Sequence, residues 1–351
     1  MKSNSLSVKT SPVKYSFGLD VSKAKIDVSF CTLDDQQQVK VYGSHSFSNT
    51  NKGFVELLLW CHKKCKETLP TVYILEATGV YHEHVAWFLH DHDCAVSIVL
   101  PNKACHYKKS LGLRSKTDSI DAFGLAKMGA EQNLPIWETP DKTLRELRII
   151  TRHREDLVTD KTIILNRLEA FEFCHNGSAL MIKQLKKQLS LIEKQIEEID
   201  QLVKETVEEN AELKARFDKI LAIKGVGLIT LATIISETDG FSLITNQRQL
   251  TSYAGYDIIE NQSGNHTGKT RISKQGNSHI RRILHMPAFL VVKYEPQFAN
   301  LFERVYERTK IKMKAYVAVQ RKLLILIYAL WKNGTVYQST AQPIIASKLC
   351  A

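Results

Sequence analysis

Asp118 and Asp121 sit three residues apart in the stretch Arg114-Ser-Lys-Thr-Asp118-Ser-Ile-Asp121. On a helix this spacing projects both carboxylates from one face. Thr117 is of the type that caps a helix, which would then run on through Ala122, Leu125 and Ala126. Like charges that close repel, so the pair is most stable with a cation between its carboxylates. Two solvated acids in a first helical turn are the ordinary alternative, since the helix dipole welcomes them. Two acids upstream weigh against it. Asp20 ends the run Tyr15-Ser-Phe-Gly-Leu19, and Glu76 ends the run Thr71-Val-Tyr-Ile-Leu75. If those runs are adjacent strands, their ends meet and the acidic helix face can lie beside them. Four carboxylates so arranged favour a metal site.

A second stretch, residues 252–285, carries a different chemistry. Ser263 lies in Gln262-Ser263-Gly264, a polar loop where a hydroxyl can stand exposed. Most such serines are turn residues. Between Asn261 and Tyr294 there is no acid, but Lys269, Arg271, Lys274, Arg281, Arg282 and Lys293 are present. A segment so unbalanced is expected to lie against phosphates. Ser273, in Ile272-Ser273-Lys274, is a second candidate hydroxyl. Gly225 and Gly227 fit a helix-hairpin-helix turn or a plain tight connection. Cys61 and Cys65 flank His62 and Lys63, but no second ligand pair lies near them in the chain.

The elements that must position these residues follow from periodicity. Residues 15–19, Ile26–Leu33 and Val39–Phe47 read as strands, 52–65 as a helix, and Thr71–Glu76 as a strand buried on both faces. A helix from Tyr81 to His92 and a strand from Ala95 to Leu100 follow. That order suits a mixed sheet with helices on both faces. From Pro140 the chain turns helical. Ile182, Leu185, Leu189, Ile192, Ile196, Ile199 and Val203 form a heptad seam, which predicts a helical hairpin and a dimerisation element. The expected organisation is a loose tail over 1–14, an α/β domain over 15–135, a helical coiled-coil linker over 140–215, a helical domain over 216–335 and a tail over 336–351.

The bulk properties narrow the function. A chain of 351 residues with 44% hydrophobic and 24% charged residues is an ordinary globular protein. Its net charge of +11 favours a polyanionic partner, with nucleic acid the default. No apolar run reaches membrane-span length, and the Ser- and Lys-rich start lacks the apolar core of a signal peptide. Seven scattered cysteines fit a reducing cytoplasm.

Gly18-Leu-Asp20-Val-Ser-Lys, Leu75-Glu76-Ala-Thr-Gly79 and Lys116-Thr-Asp118-Ser-Ile-Asp121-Ala together resemble the DEDD motif of transposases of the insertion sequence 110 family, related to Piv-type DNA invertases. Gly225-Val-Gly227, Tyr253-Ala-Gly255, Gln262-Ser263-Gly264 and Ile272-Ser-Lys-Gln-Gly276-Asn277 resemble that family's C-terminal domain, in the family's order. Tyr256-Asp257 departs from the Leu-x-Pro run common among relatives. The resemblance covers roughly residues 15–335. It implies an RNase H-like, RuvC-type N-terminal domain, a coiled coil, and an α-helical C-terminal transposase domain. It implies that Asp20, Glu76, Asp118 and Asp121 hold divalent metal, magnesium (Mg2+). It further implies a serine nucleophile, carried onto Ser263 with Ser273 as the alternative. The partners implied are double-stranded donor and target DNA, and a structured noncoding guide RNA that pairs with both. A homo-oligomer is expected, a dimer or a tetramer built as a dimer of dimers, in a bacterial cytoplasm. The competing expectations are a RuvC-like junction nuclease that uses water, and a non-catalytic nucleic-acid-binding adaptor.

Overall fold

The computed structural model describes residues 11–339, apart from 78, 113–116, 176–177, 243, 261, 264–265 and 269. The chain divides into two compact units, Met1–Thr139 and Pro140–Ala351.

The first unit is built on a five-stranded sheet. Its strands are β1 (Pro12–Val21), β2 (Lys25–Asp34), β3 (Val39–Ser48), β4 (Thr71–Glu76) and β5 (Ala95–Val99), in the order β3-β2-β1-β4-β5. β2 runs antiparallel to β1 and β3, whereas β4 runs parallel to β1 and to β5. The helices are α1 (Asn51–Lys64), α2 (Glu83–His90), α3 (Pro101–Ser110) and α4 (Asp118–Glu131). β1 is central and nearly all buried, as a strand covered on both faces must be. On one face Phe17 stacks between Phe30 of β2 and Tyr73 of β4, with ring centroids 4.7 and 5.2 Å away. Phe54, Leu57, Val85 and Leu89 of α1 and α2 complete that layer. On the other face lies α4. A Cβ on Gly18 would fall 2.1 Å from the Ala126 nitrogen and 2.2 Å from the Ala122 carbonyl oxygen. Helix backbone therefore rests directly on strand backbone. Helices do cover both faces of a mixed α/β sheet, RNase H-like in type, as expected.

The second unit is mostly helical: α5 (Lys142–Phe173), α6 (Ala179–Glu209), α7 (Ala211–Leu221), α8 (Leu228–Glu237), α9 (Gln247–Tyr253), α10 (Ser278–Ile283), α11 (His285–Tyr294), α12 (Pro296–Thr309) and α13 (Lys312–Asn333). Between α9 and α10 lie short strands β6 (Ile258–Ile259), β7 (Gln262–Ser263), β8 (His266–Thr267) and β9 (Arg271–Ile272). α5 and α6 pack as a hairpin, laced by Arg154–Asp200, by Lys161–Glu193 at 2.8 Å and by Lys186–Glu172 at 3.0 Å.

Three boundaries differ from the sequence-based expectation. β1 begins at Pro12, so residues 12–14 belong to the sheet rather than to a tail. The hairpin is not a separate linker. Its base buries Leu144, Leu147, Ile150, Val203 and Val207 in the same core as Phe217, Leu231 and Leu323, and the expected break at 215 falls inside α7. The C-terminal tail is anchored as far as Ser339. Tyr337 is buried, its hydroxyl donates to Glu295 Oε2 at 2.7 Å, and Ser339 donates to the same oxygen at 2.8 Å.

Candidate active site

The parallel register aligns Leu19 with Leu75, which sets Asp20 beside Glu76 at the ends of neighbouring strands. Asp118 and Asp121 lie in the first turn of α4, where Thr117 accepts the Ile120 N–H at 3.3 Å. The Gly18 contact fixes that turn close to Asp20. All four sequence-predicted acids thus come together in the first unit.

The cluster is electrostatically strained. Burial pushes the Asp20 carboxyl up to about 6, and Asp121, Asp118 and Glu76 push the same way, while Lys108 opposes them. Carboxylates this crowded lack positive charge.

Two lysines that sequence reasoning missed supply part of it. Lys108 Nζ lies 2.8 Å from Asp121 Oδ1 and 3.4 Å from Glu76 Oε2. Its stem crosses α4 at Gly124, where an added Cβ would come within 2.7 Å of Lys108 Cγ. Lys25 Nζ holds Asp118 at 2.7 Å and Asp27 at 2.9 Å. With the carboxylates drawn toward these ammoniums, no group of three or more His, Cys, Asp or Glu among the described residues stands ready to hold a metal ion. The donor chemistry still suits a hard divalent cation, since every ligand is a carboxylate oxygen. Asp20, Glu76, Asp118 and Asp121 are the residues that would hold such an ion. No spacing rule marks Lys108; the only clue was a basic residue upstream of an acidic pair.

Ser263 lies in the second unit, exposed, in β7, with backbone register opposite His266 of β8. Gly264, beside it, lies outside the described residues. The arm that carries Ser263 is pinned at its root. Ser273 N–H donates to the Asp257 carbonyl at 2.8 Å, Lys274 N–H to Gly255 at 3.1 Å, and Asn277 N–H to Tyr253 at 2.7 Å. The root is close-packed around two glycines with positive φ, Gly255 and Gly276. Ser273 is half-buried there, and its hydroxyl accepts the Gln275 N–H at 3.3 Å.

Behind the root is a polar anchor with no sequence signature. Glu237 is 2% exposed. It accepts two bonds from Arg152, at 2.6 and 2.9 Å, and one from Asn277 at 2.6 Å. Burial alone would raise its carboxyl, yet Arg152 and Asn277 hold it below the usual range. A buried carboxylate needs this full set of donors.

The predicted phosphate-binding cations divide in two. Arg271 and Lys274 are exposed. Arg281 instead ties the carbonyls of Ala254, Gly276 and Asn277 at 2.8, 3.2 and 3.1 Å. Arg282 pairs with Glu155, which also meets His279 at 2.5 Å. Lys269 lies outside the described residues. Gly225, at φ +102, serves close packing against Leu290. Gly227 borders a cleft that also contains Glu197, Asp200 and Lys204. Cys61 has Cys65 and Cys94 for neighbours, and burial raises its thiol, so it is a core residue.

Comparison with known proteins places the chain in a family. A family model for the DEDD transposase of IS110 elements matches residues 17–171, and the model for "Transposase IS116/IS110/IS902 family" matches residues 218–303. The pilin gene-inverting protein of Moraxella lacunata is 31% identical over 324 residues, covering 90% of this chain and 95% of that one. Its counterpart in Moraxella bovis is 30% identical over the same length. The transposase of insertion sequence element IS1111A from Coxiella burnetii is 22% identical over 270 residues, 70% of this chain and 73% of that one. Thermus thermophilus RuvC in complex with a Holliday junction substrate aligns with a TM-score of 0.27 at 10% identity, over 33% of this chain and 93% of its own. The chain belongs to the IS116/IS110/IS902 family of transposases and recombinases.

Proposed function

We propose that the protein is a site-specific DNA recombinase of an insertion element, which cuts and rejoins DNA through a covalent serine–DNA intermediate. The observation that carries this reading is the convergence of Asp20, Glu76, Asp118 and Asp121, with the Asp20 carboxyl pushed up to about 6 by burial and by its neighbours. Family membership and the exposed Ser263 support it.

Asp20, Glu76, Asp118 and Asp121 are the residues that would hold divalent metal, with magnesium favoured by the all-oxygen donor set. When bound, the metal neutralises charge on the scissile phosphate and eases ionisation of an attacking hydroxyl. The Ser263 oxygen forms a bond to phosphorus, and the bond from phosphorus to one sugar oxygen breaks. The serine proton ends on that released hydroxyl. One phosphodiester replaces another, so the bond energy is conserved and the reverse step rejoins a different strand. The pinned root of the arm holds Ser263 on a defined base while its tip meets DNA.

The acids and Ser263 belong to different units of the chain. We assign the reaction to two copies of the protein acting together. Apolar residues left exposed on α5 and α6, including Phe173 at 90% and Leu180 at 65%, support a contact between copies. A net charge of +11 suits donor and target DNA together with a structured noncoding RNA that pairs with both and so chooses the site. The cysteines of the described residues are free thiols, in keeping with a reducing cytoplasm. Among the described residues no helix is long and apolar enough to cross a membrane.

The test is a nicked suicide substrate with the flanking noncoding RNA supplied. A protein–DNA adduct stable to denaturation, mapped to Ser263, is the expected result. Cleavage by wild-type protein with no serine ever labelled would make a water-using, RuvC-like nuclease the better reading.

A further inference from the structure

A cleft in the second unit plays no part in the chemistry above. It lies between α12, α13 and the β6–β9 pair and encloses about 600 Å³. That is the size of a ligand site, roughly 300–1,000 Å³. Its lining is aliphatic at Leu301, Val305, Met313, Val317 and Ile325. Its rim is cationic, formed by Arg271, Lys274, Arg308, Lys314, Arg321 and Lys322. All six cations are exposed, and no described acid lines the cleft.

The two halves of this surface ask for different things. Six cations without a counter-acid repel one another and attract a polyanion. An aliphatic lining gains nothing from a phosphate and is covered best by a flat apolar face. Met313 is 52% exposed and Ile258, at the mouth, 57%. A nucleotide offers both a charged backbone and an apolar face, provided its base has left the stack. A duplex offers only its phosphates. Of the three hydroxyls in its lining, those of Tyr256, Thr270 and Thr309, two are already engaged. The Thr309 hydroxyl is spent on the Val305 carbonyl at 2.8 Å and the Tyr256 hydroxyl on Gln320 at 3.0 Å. The aliphatic side chains themselves offer no hydrogen bond to the edge of a base. One wall is β9, the returning strand of the arm that carries Ser263.

We infer that this cleft receives an unpaired nucleotide of a DNA strand, its base over the aliphatic lining and its flanking phosphates on the cationic rim, without discriminating among bases. The inference rests on the recombinase reading for the identity of the strand: DNA engaged by the Ser263 arm continues past β9 into the cleft.

The test uses the full chain and single-stranded DNA of mixed sequence with one 2-aminopurine. Among the described residues no exposed aromatic ring lines the cleft, so a base lodged there escapes stacking and its quenching. Wild-type protein should raise the emission strongly, and to the same extent whichever bases flank the probe. Met313→Glu places a carboxylate in the lining on an exposed position that the fold tolerates, which a melting curve verifies. It should abolish the emission rise and weaken single-strand binding about tenfold, the loss of roughly one buried apolar contact. Duplex binding, held by phosphates, should stay within about twofold. The inference is overturned by no rise with wild type, by a rise that survives Met313→Glu, or by a response to RNA but not DNA. It is also overturned if single strands do not bind while light scattering shows an oligomer that Met313→Glu dissolves, because the cleft then seats a protein. Covalent adduct formation is scored separately. If wild type forms no adduct but the emission rise persists, the recombinase reading fails and the cleft stands.

Discussion

Lys108 holds Asp121 at 2.8 Å and Glu76 at 3.4 Å, an internal ammonium shared by two carboxylates of the acidic cluster. On the proposed metal-site reading, a divalent cation and this ammonium compete for one set of carboxylates. Lys108→Met should therefore lower the melting temperature in chelator, since the acids lose their partner. It should also enlarge the rise on adding magnesium, by linkage between binding and folding. Thermal melts with and without magnesium measure both. An equal magnesium-dependent rise in wild type and variant would separate Lys108 from the metal site.

Asp20 predicts a pH dependence of stability. Its folded carboxyl titrates at about 6 against 3.8 for the ordinary group. Between those values the folded chain keeps a proton that the unfolded chain has released. The contribution of Asp20 to stability is thus greatest below 3.8 and is lost as pH rises through 6. In chelator, Asp20→Asn should be more stable than wild type at pH 7.5, and the difference should shrink toward pH 4.5. Urea midpoints at the two pH values check this, and a difference independent of pH would contradict it.

Each of Asp20→Ala, Glu76→Ala, Asp118→Ala and Asp121→Ala should abolish recombination while leaving RNA and DNA binding largely intact. Binding assays beside a recombination assay separate the two effects. Full recombination by Asp118→Ala or Asp121→Ala would sink the metal-site reading.

Ser263→Ala should bind nucleic acid yet give neither adduct nor recombinant. Ser273→Ala should keep partial activity, because its hydroxyl accepts the Gln275 N–H within the root of the arm. Mass spectrometry of the trapped adduct decides between them. A label on Ser273 would move the nucleophile but keep the chemistry.

Arg271 and Arg281 should behave in opposite ways. Arg271→Ala removes an exposed cation, so it should reduce the salt slope of DNA binding by about one and leave melting unchanged. Arg281→Ala frees three backbone carbonyls and should cost about 2 kcal/mol of stability. Salt titrations and denaturation midpoints on the two variants test the contrast.

Much of the acidic cluster was legible because its cues are local. An apolar run ending on an acid marks a strand end, and Asp118 and Asp121 with Thr117 mark a capped helix face. Their convergence followed from placing the β1 and β4 runs side by side. What stayed hidden depends on distant partners. Arg281 and Arg271 look alike in the chain, and only the fold gives one of them three carbonyls. Lys108 and Glu237 are joined to their partners across 13 to 85 residues, with no periodicity to betray them. The heptad seam of α6 was read correctly as one face of a helical hairpin. That its base belongs to the main core of the second unit could not be seen, because the seam repeats unchanged across that boundary.

Gly18 sets the tolerance to which the acidic cluster is assembled. Side chains that pack together can change rotamer and let two elements slide, but α4 meets β1 through main-chain atoms at Ala122 and Ala126. Main chain has no rotamers, so this contact acts as a mechanical stop. A reacting group displaced by about 1 Å can lose about a hundredfold in rate. The freedom in the cluster is thereby confined to its carboxylates and to the ammonium of Lys108, the parts that would have to move for the proposed metal to displace that ammonium.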